Sequence, residues 1–218
     1  MNIGSDFKKF AKSEGISTLK LENFENSLTP YILEERQLRS SQIDVFSRLM
    51  MDRIIWVAGE VNDHMSTIVQ AQLMYLDSVE KKDITMHIDT PGGSVKSGLS
   101  MVDVMLYVNS DIATINTGMA ASMGSVLLGA GTKGKRSSLR FSRTMIHQSS
   151  GGAGGNIQDA RIAFQEWEKL NDSLFDLLGN FCGKSMDQVK KDAERDCWLN
   201  SQEALEYGII DEVIKPRR

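Results

Sequence analysis

From Tyr31 onward the apolar residues of this chain fall in short bursts whose spacing switches between the strand period and the helix period. Asp44–Met51 has a helical pattern, and Ile54-Ile55-Trp56-Val57 reads as a buried strand that stops at Gly59. Asn62-Asp63 offers an N-cap for a helix over His64–Ser78, with Ile68, Ala71, Gln72 and Tyr75 at turn spacing. In Ile84–Asp89 apolar and polar residues alternate, so one face meets the core and the other is wet or meets a partner. Pro91-Gly92-Gly93 ends that strand, and Val95–Tyr107 predicts the next helix. Ile112-Ala113-Thr114-Ile115 predicts a buried strand, Val126-Leu127-Leu128 an apolar helix segment, and Thr144–His147 a further short strand. Strand and helix alternate repeatedly, which predicts an α/β fold of parallel βα units.

After Gln148 the run Ser149–Gly155 is flexible in composition. Beyond it Phe164, Trp167, Leu170, Leu174, Leu177 and Leu178 recur at three- and four-residue intervals, with Asp159, Glu166, Glu168, Lys169 and Asp172 opposite. That pattern predicts a long helix, either an arm projecting from the body or an element docked on its own sheet. Ser201–Tyr207 predicts a short capped helix ended by Gly208, and Ile209–Ile214 a final strand. Residues 1–28 are polar, lack a sustained period and lead to Pro30, so they predict a loosely held extension ahead of one domain over 29–218.

Charge and cysteine content narrow the class. The 218 residues carry 29 acidic and 25 basic side chains, net −4, and the basic ones are scattered apart from Lys133-Gly134-Lys135-Arg136 and the C-terminal tail. This distribution argues against nucleic-acid binding. Cys182 and Cys197 form no CxxC pair and no metal set with the three histidines, which suits a reducing compartment. The first twenty residues are broken by Lys8, Lys9, Lys12 and Glu14 and do not read as a secretion signal, so the cytoplasm is the expected location. Ile112–Thr132 carries no charge, yet Asn116, Thr117, Ser122, Ser125 and four glycines would be costly in hydrocarbon, so no membrane partner is expected. Gly129-Ala130-Gly131-Thr132-Lys133-Gly134 matches GxGxxG, but it closes a helix and leads into the strand-like Ser137–His147, and Arg136 stands where a phosphate loop needs Ser or Thr. A helix stop and a tight turn explain these glycines.

Ser122 falls between a predicted strand and a predicted helix, among the small residues Ala120, Ala121 and Gly124 that permit a tight bend and leave its hydroxyl accessible. The helix start offers free N–H groups where an oxyanion could form. A serine attacks only when a base takes its proton, and His147, at the C-terminal end of a predicted strand, is the candidate base. His64 at a helix start and His87 on an alternating strand read as structural or surface groups. Chemistry alone cannot choose a third member among 29 carboxylates; Asp196 stands out because it lies between a charged helix and an apolar turn, a setting that can hold it partly buried, although an acidic residue in such a run is usually a solvated face. Gly92 and Gly93 permit close approach of a backbone N–H to a reacting carbonyl, and Gly93-Ser94-Val95 could pair with a peptide as an added strand. A plain turn is the alternative.

Taken in order, Pro91-Gly92-Gly93, Gly118–Gly124 (GMAASMG), Met145–Gln148, Glu194-Arg195-Asp196 and Glu203–Gly208 (EALEYG) resemble the Clp protease proteolytic subunits (ClpP), over about Tyr31–Ile214. The resemblance implies a crotonase-like, ClpP-type α/β fold of repeated ββα units with a protruding helical handle near residues 148–178. It implies a serine endopeptidase, with Ser122 as nucleophile, His147 as general base and then acid, and Asp196 as the orienting carboxylate. The N–H groups of Gly93 and Met123 would form the oxyanion hole, and Gly92, Ser94, Val95, Gln148 and Ser150 would contact substrate. Two stacked heptameric rings would enclose unfolded polypeptide and cut it to short peptides, with residues near Pro30–Glu35 at the axial entrance and the extension before Pro30 a propeptide. The chain itself would need no cofactor or metal; ATP would be used by a separate AAA+ unfoldase of the Clp type.

The family's unfoldase-docking pocket is usually aromatic and aliphatic, whereas the matching positions here include Thr85, His87, Thr117 and Ser137, beside apolar Tyr107, Leu139 and Ile214. Ser149 and Ser150 follow His147-Gln148 where the family often has a proline. Two competing functions remain open at this point: a catalytically silent structural subunit of a mixed ring, and an acyl-CoA hydratase or isomerase on the same fold.

Overall fold

The computed structural model describes residues 31–36, 39–152 and 154–216, and the chain divides into two compact units, Met1–Leu49 and Met50–Arg218. The expected extension over 1–28 lies outside the described residues. In the first unit β1 (Tyr31–Arg36) and β2 (Arg39–Asp44) pair antiparallel, from Tyr31 opposite Asp44 to Arg36 opposite Arg39. Asp44 then accepts the Ser47 backbone N–H at 2.9 Å and starts α1 (Val45–Met51).

The second unit is built on β3 (Ile54–Ala58), β4 (Ile84–Thr90), β5 (Ile112–Ala121), β6 (Arg136–Leu139) and β9 (Glu212–Ile214), parallel neighbours in the order β3-β4-β5-β6-β9. The intervening helices are α2 (Asp63–Val79), α3 (Val95–Tyr107) and α4 (Met123–Gly129). Alternation in β4 sorts its residues as expected: Ile84, Met86 and Ile88 are fully buried, while Thr85, His87 and Asp89 face the other way. Ile55, Val57, Leu73, Met101, Ile112 and Leu127 complete this part of the core.

β5 is longer than its apolar stretch predicts because two strands share one of its edges. β6 pairs with Thr114–Asn116, and β7 (Arg143–Ile146) pairs with Met119–Ala121. The strand-like stretch over Ser137–His147 is therefore two strands, the second matching the short strand expected over Thr144–His147, parted by a turn in which Ser142 N–H donates to Leu139 O. On its other edge β5 shifts register between Ile88 and Thr90, and Asp89 Oδ1 takes the Met119 N–H at 2.9 Å across the irregularity. This carries the strand on to the residue before Ser122.

Helix α2 begins as predicted, with Asn62 accepting the Met65 N–H at 3.0 Å. Its inward face differs from the one marked by Ile68, Ala71, Gln72 and Tyr75. Ser66, Val69, Leu73 and Leu76 are buried, whereas Ile68 and Tyr75 are 43% and 58% exposed. Both sets satisfy the helical period, and the sheet's position decides between them.

The glycine-rich stretch after α4 serves its own chain. Asp211, just before β9, accepts the backbone N–H groups of Gly134 (2.7 Å) and Arg136 (3.1 Å) and holds the Arg136 guanidinium at 2.8 Å and 2.6 Å. The donors that a phosphate would use are thus taken by a carboxylate. Gly208 ends α7 (Ser201–Tyr207) in the left-handed conformation, and the Ile209 N–H turns back to Ala204 O at 3.1 Å. Ile209 and Ile210 therefore plug the core instead of extending the last strand, which shortens it to Glu212–Ile214.

The predicted long helix is α5 (Ile157–Cys182), followed by α6 (Met186–Asp192). Docking on the sheet is one expectation for α5; its C-terminal half packs instead on α4 and α6. Phe175, Leu178 and Gly179 are buried on the body, while Ile157, Ile162 and Phe164 near its start are 75%, 65% and 51% exposed. A last strand, β8 (Cys197–Asn200), had no clear signal in the sequence. It pairs antiparallel with β7, setting Ile146 opposite Cys197.

Candidate active site

Ser122 occupies the junction of β5 and α4 with φ 54° and ψ −121°, a conformation that non-glycine residues rarely adopt. Its cost is about 1–3 kcal/mol and needs surrounding structure to hold it. The Ser122 N–H donates to Met145 O at 2.9 Å, and Ser122 O accepts from Ser125 N–H at 3.0 Å. These anchors turn the hydroxyl toward His147, whose Nε2 lies 2.8 Å from Ser122 Oγ.

His147 directly follows β7 and Asp196 directly precedes β8. Since Ile146 and Cys197 are opposite one another, the next step outward along the antiparallel ladder faces residue 147 with residue 196. His147 Nδ1 and Asp196 Oδ1 are 3.1 Å apart. Gln148 N–H, donating to Ala193 O at 2.9 Å, fixes the chain just beyond the ring. When Nδ1–H donates to the carboxylate, Nε2 is left as an acceptor facing the serine O–H. Of the two readings of Asp196, partly buried or solvated, the second holds: its side chain is 61% exposed, while His147 is 23% exposed.

The loop Pro91–Ser94 approaches the serine from the end of β4. Gly92 has φ +91° and Gly93 φ +147°. A Cβ on Gly92 would lie 2.6 Å from Ala121 O, 2.7 Å from Ser122 Cβ and 2.9 Å from Met123 N, so only glycine fits. Val61 N–H donates to Gly92 O and Ser94 N–H to Val61 O, each at 2.8 Å. One edge of this extended segment is thus already paired within the chain. The other edge presents Gly93, whose N–H, like that of Met123 at the start of α4, makes no protein hydrogen bond among the described residues.

Below the loop, the Ser97 hydroxyl is bonded to Asp63 Oδ1 at 2.6 Å and Ser94 Oγ at 2.8 Å, tying the start of α3 to the start of α2. Of the residues expected to contact substrate, Val95 lines an apolar pocket beside Ser122 together with Val126, Ile146, Leu174, Phe175 and Leu178. Gln148 and Ser150 line a separate polar hollow with His147, Glu194 and Asp196. Gly92, Gly93 and Ser94 line neither; they form the loop packed against the turn at Ser122. Ile146 and Phe175 escape sequence reasoning because their patterns mark burial, and burial beside a serine looks like burial anywhere else.

Other titratable groups are set apart. His64 is exposed at the start of α2. His87 lies on the outer face of the sheet, stacked on Trp56 with ring centroids 4.8 Å apart, and burial holds its imidazole below the usual histidine range. Parallel register aligns Trp56, His87, Ile115 and Ser137 in one row across that face. Trp56, 39% exposed, is an apolar member that the sequence reading did not include. Burial pushes the Cys182 thiol up to about 11, and burial followed by the charges of Asp192 and Glu203 raises Cys197, so neither is poised as a thiolate. Among the described residues there is no group of three or more His, Cys, Asp or Glu side chains that could hold a metal ion, and no helix is long and apolar enough to cross a membrane.

The sequence model of the Clp protease family matches residues 36–217. Among curated proteins, an ATP-dependent Clp protease proteolytic subunit of Bacteroides fragilis strain YCH46 is 52% identical over 215 residues, covering 96% of this chain and 98% of that protein. Proteins of the same description from Bacteroides thetaiotaomicron and Porphyromonas gingivalis strain W83 are 51% and 46% identical, spanning 96% and 98% of this chain and 98% and 99% of their own lengths.

Proposed function

This chain belongs to the Clp protease family, and on that premise we propose that it is a serine endopeptidase subunit cleaving unfolded polypeptide through an acyl-enzyme on Ser122. The observation that carries this reading is the continuous chain Ser122 Oγ, His147 Nε2 at 2.8 Å, His147 Nδ1 and Asp196 Oδ1 at 3.1 Å.

Ser122 Oγ attacks the scissile carbonyl carbon while His147 Nε2 takes its proton, and Asp196 holds the ring and stabilises the imidazolium. The carbonyl oxygen becomes an oxyanion facing the N–H groups of Gly93 and Met123, at the positive end of α4. Collapse of the tetrahedral intermediate breaks the C–N bond, the imidazolium protonates the departing amine, and water repeats the sequence to free the acid and Ser122. The open edge at Gly93 pairs with the substrate main chain, the apolar pocket takes the side chain preceding the cut, and Gln148 and Ser150 contact the substrate on the polar side.

The exposed apolar turns of α5 around Ile157, Ile162 and Phe164 suit contact with a second copy, consistent with two stacked heptameric rings. The relatives' description as ATP-dependent supports an AAA+ unfoldase partner that hydrolyses ATP; the mechanism above uses no cofactor in this chain. The outer row of Trp56, His87, Ile115 and Ser137, with Thr85 and Thr117 on the same strands and Leu139 paired with Ile214 beside it, is the surface offered to that partner. The test is fluorophosphonate labelling and turnover of a fluorogenic peptide, with enoyl-CoA turnover as the control. Ser122→Ala abolishes labelling and peptide cleavage while the assembled mass by native mass spectrometry is unchanged; equal labelling of variant and parent refutes the reading.

A further inference from the structure

Two residues beyond His147, Ser149 is clamped against the handle helix by three hydrogen bonds. Its backbone N–H and its hydroxyl both donate to Asn171 Oδ1 at 2.9 Å, and the hydroxyl accepts the Trp167 indole N–H at 2.6 Å. Trp167 and Asn171 are four residues apart, so both project from one face of α5 onto the same hydroxyl. The Trp167 ring also covers Gly151, where a Cβ would come within 3.1 Å of it.

The clamp lies where α5 passes from its exposed N-terminal turns to the docked half that begins at Leu174 and Phe175. The next turn of the same helix supplies Leu174, Phe175 and Leu178 to the wall of the apolar pocket beside Ser122, and Ser149 is itself part of that wall. Any displacement of α5 here is therefore transmitted at once to the pocket and to the segment carrying His147. Gln148 N–H, held by Ala193 O, leaves the chain little slack between the ring and the clamp. A proline at residue 149 would lack the N–H and the hydroxyl, so this chain restrains the segment by bonds to α5 instead of by a ring.

We propose that Ser149, held by Asn171 and Trp167, is a positioning residue that fixes the pocket wall of α5 against Ser122 and thereby sets which side chain is accepted before the cut. This inference rests on Ser122 being the nucleophile. The clamp makes the handle part of the substrate-selecting apparatus. Losing it lets the wall retreat, so discrimination between large and small apolar side chains falls more than the reactivity of the serine.

The experiment uses the full chain and two fluorogenic peptides that differ only in leucine or alanine before the cleaved bond. kcat and KM are measured for the parent, Ser149→Ala, Asn171→Leu and Asn171→Asp, together with the rate of fluorophosphonate labelling and the assembled mass. For Ser149→Ala and Asn171→Leu the leucine-to-alanine ratio of kcat/KM is expected to collapse by about ten-fold, the size of effect a small misplacement of a site wall produces. The collapse resides mainly in KM for the leucine peptide, and the labelling rate changes less than the ratio. Asn171→Asp keeps an accepting oxygen and restores the ratio. If Asn171→Leu fails to assemble, Ser149→Ala, which leaves α5 intact, decides the matter. A parent that labels at Ser122 while Ser149→Ala retains the parent's ratio overturns the clamp alone; a parent that does not label overturns the catalytic reading beneath it.

Discussion

Gly92 sits so close to Ser122 that the Cβ it lacks would stand 2.7 Å from the serine's own Cβ. The loop after β4 and the turn after β5 are thus packed backbone to backbone, which brings the Gly93 N–H beside a serine 29 residues further along the chain, as the proposed oxyanion site requires. Gly92→Ala must push these two turns apart or strain them. We expect kcat/KM for a short peptide to fall by about 100-fold or more, with slowed fluorophosphonate labelling and an unchanged far-UV circular dichroism spectrum. Parent-like turnover would show that the contact is dispensable.

Asp196 contacts His147 from an exposed position, so on the proposed mechanism its removal separates catalysis from stability. In Asp196→Asn the amide can donate to Nδ1 and favour the tautomer that carries hydrogen on Nε2, which then cannot take the serine proton. kcat is expected to drop by about 10³-fold or more, while the folding stability stays within about 0.5 kcal/mol, as for other surface substitutions. Steady-state kinetics and a thermal melt of the same preparation check both halves.

Arg136 is 3% exposed and depends on Asp211 for its charge compensation, with further contacts to Phe181 O at 2.8 Å and Gly129 O at 3.4 Å. Asp211→Asn leaves that guanidinium buried without its counter-charge and is expected to destabilise the fold by about 3 kcal/mol. Burial pushes the Asp211 carboxyl up, but the hydrogen bonds and charge of Arg136 outweigh it and hold the group below its ordinary value of 3.8. A carboxylate depressed in the folded state contributes stability above its unfolded value and loses it as pH falls through the folded one. The melting-temperature gap between parent and variant should therefore be full near neutral pH and narrow below pH 3.8. A gap that widens on acidification would contradict the assignment.

Both thiols should be slow to react in the native protein. With Cys182 pushed up to about 11 by burial and Cys197 raised by burial and its acidic neighbours, iodoacetamide at neutral pH is expected to modify neither at the rate seen after denaturation. Peptide mass mapping of native and unfolded samples reads this directly. Fast native modification accompanied by loss of activity would bring a thiol back into consideration.

Much of the scaffold was legible because it is coded locally. The helices over Asp63–Val79 and Val95–Tyr107, the positions of β3 and β4, and the turn at Ser122 all follow from local spacing and breakers, although β3 is half-buried, with Trp56 turned outward, where its apolar run predicted a buried strand. The inner face of α2 was not, since Ile68 and Val69 both fit a helical stripe and only the location of the sheet buries the second. Nor was β8, four residues whose pairing with β7 satisfies the backbone but leaves no period to read.

Sequence alone determined where the chain alternates between strand and helix, that a serine stands at a sharp bend followed by free N–H groups, and that few histidines could serve it. Residue chemistry alone could not choose among 29 carboxylates and the family motif pointed to Asp196; the folded chain shows why, because the partner of His147 is set by which strand pairs beside β7, a contact 49 residues away along the chain. The same holds for the clamp at Ser149 and the wall of the apolar pocket. Local patterns record the free energy of burying one face of one element, whereas the meeting of side chains from different elements depends on how those elements pack, and packing is a property of the whole core.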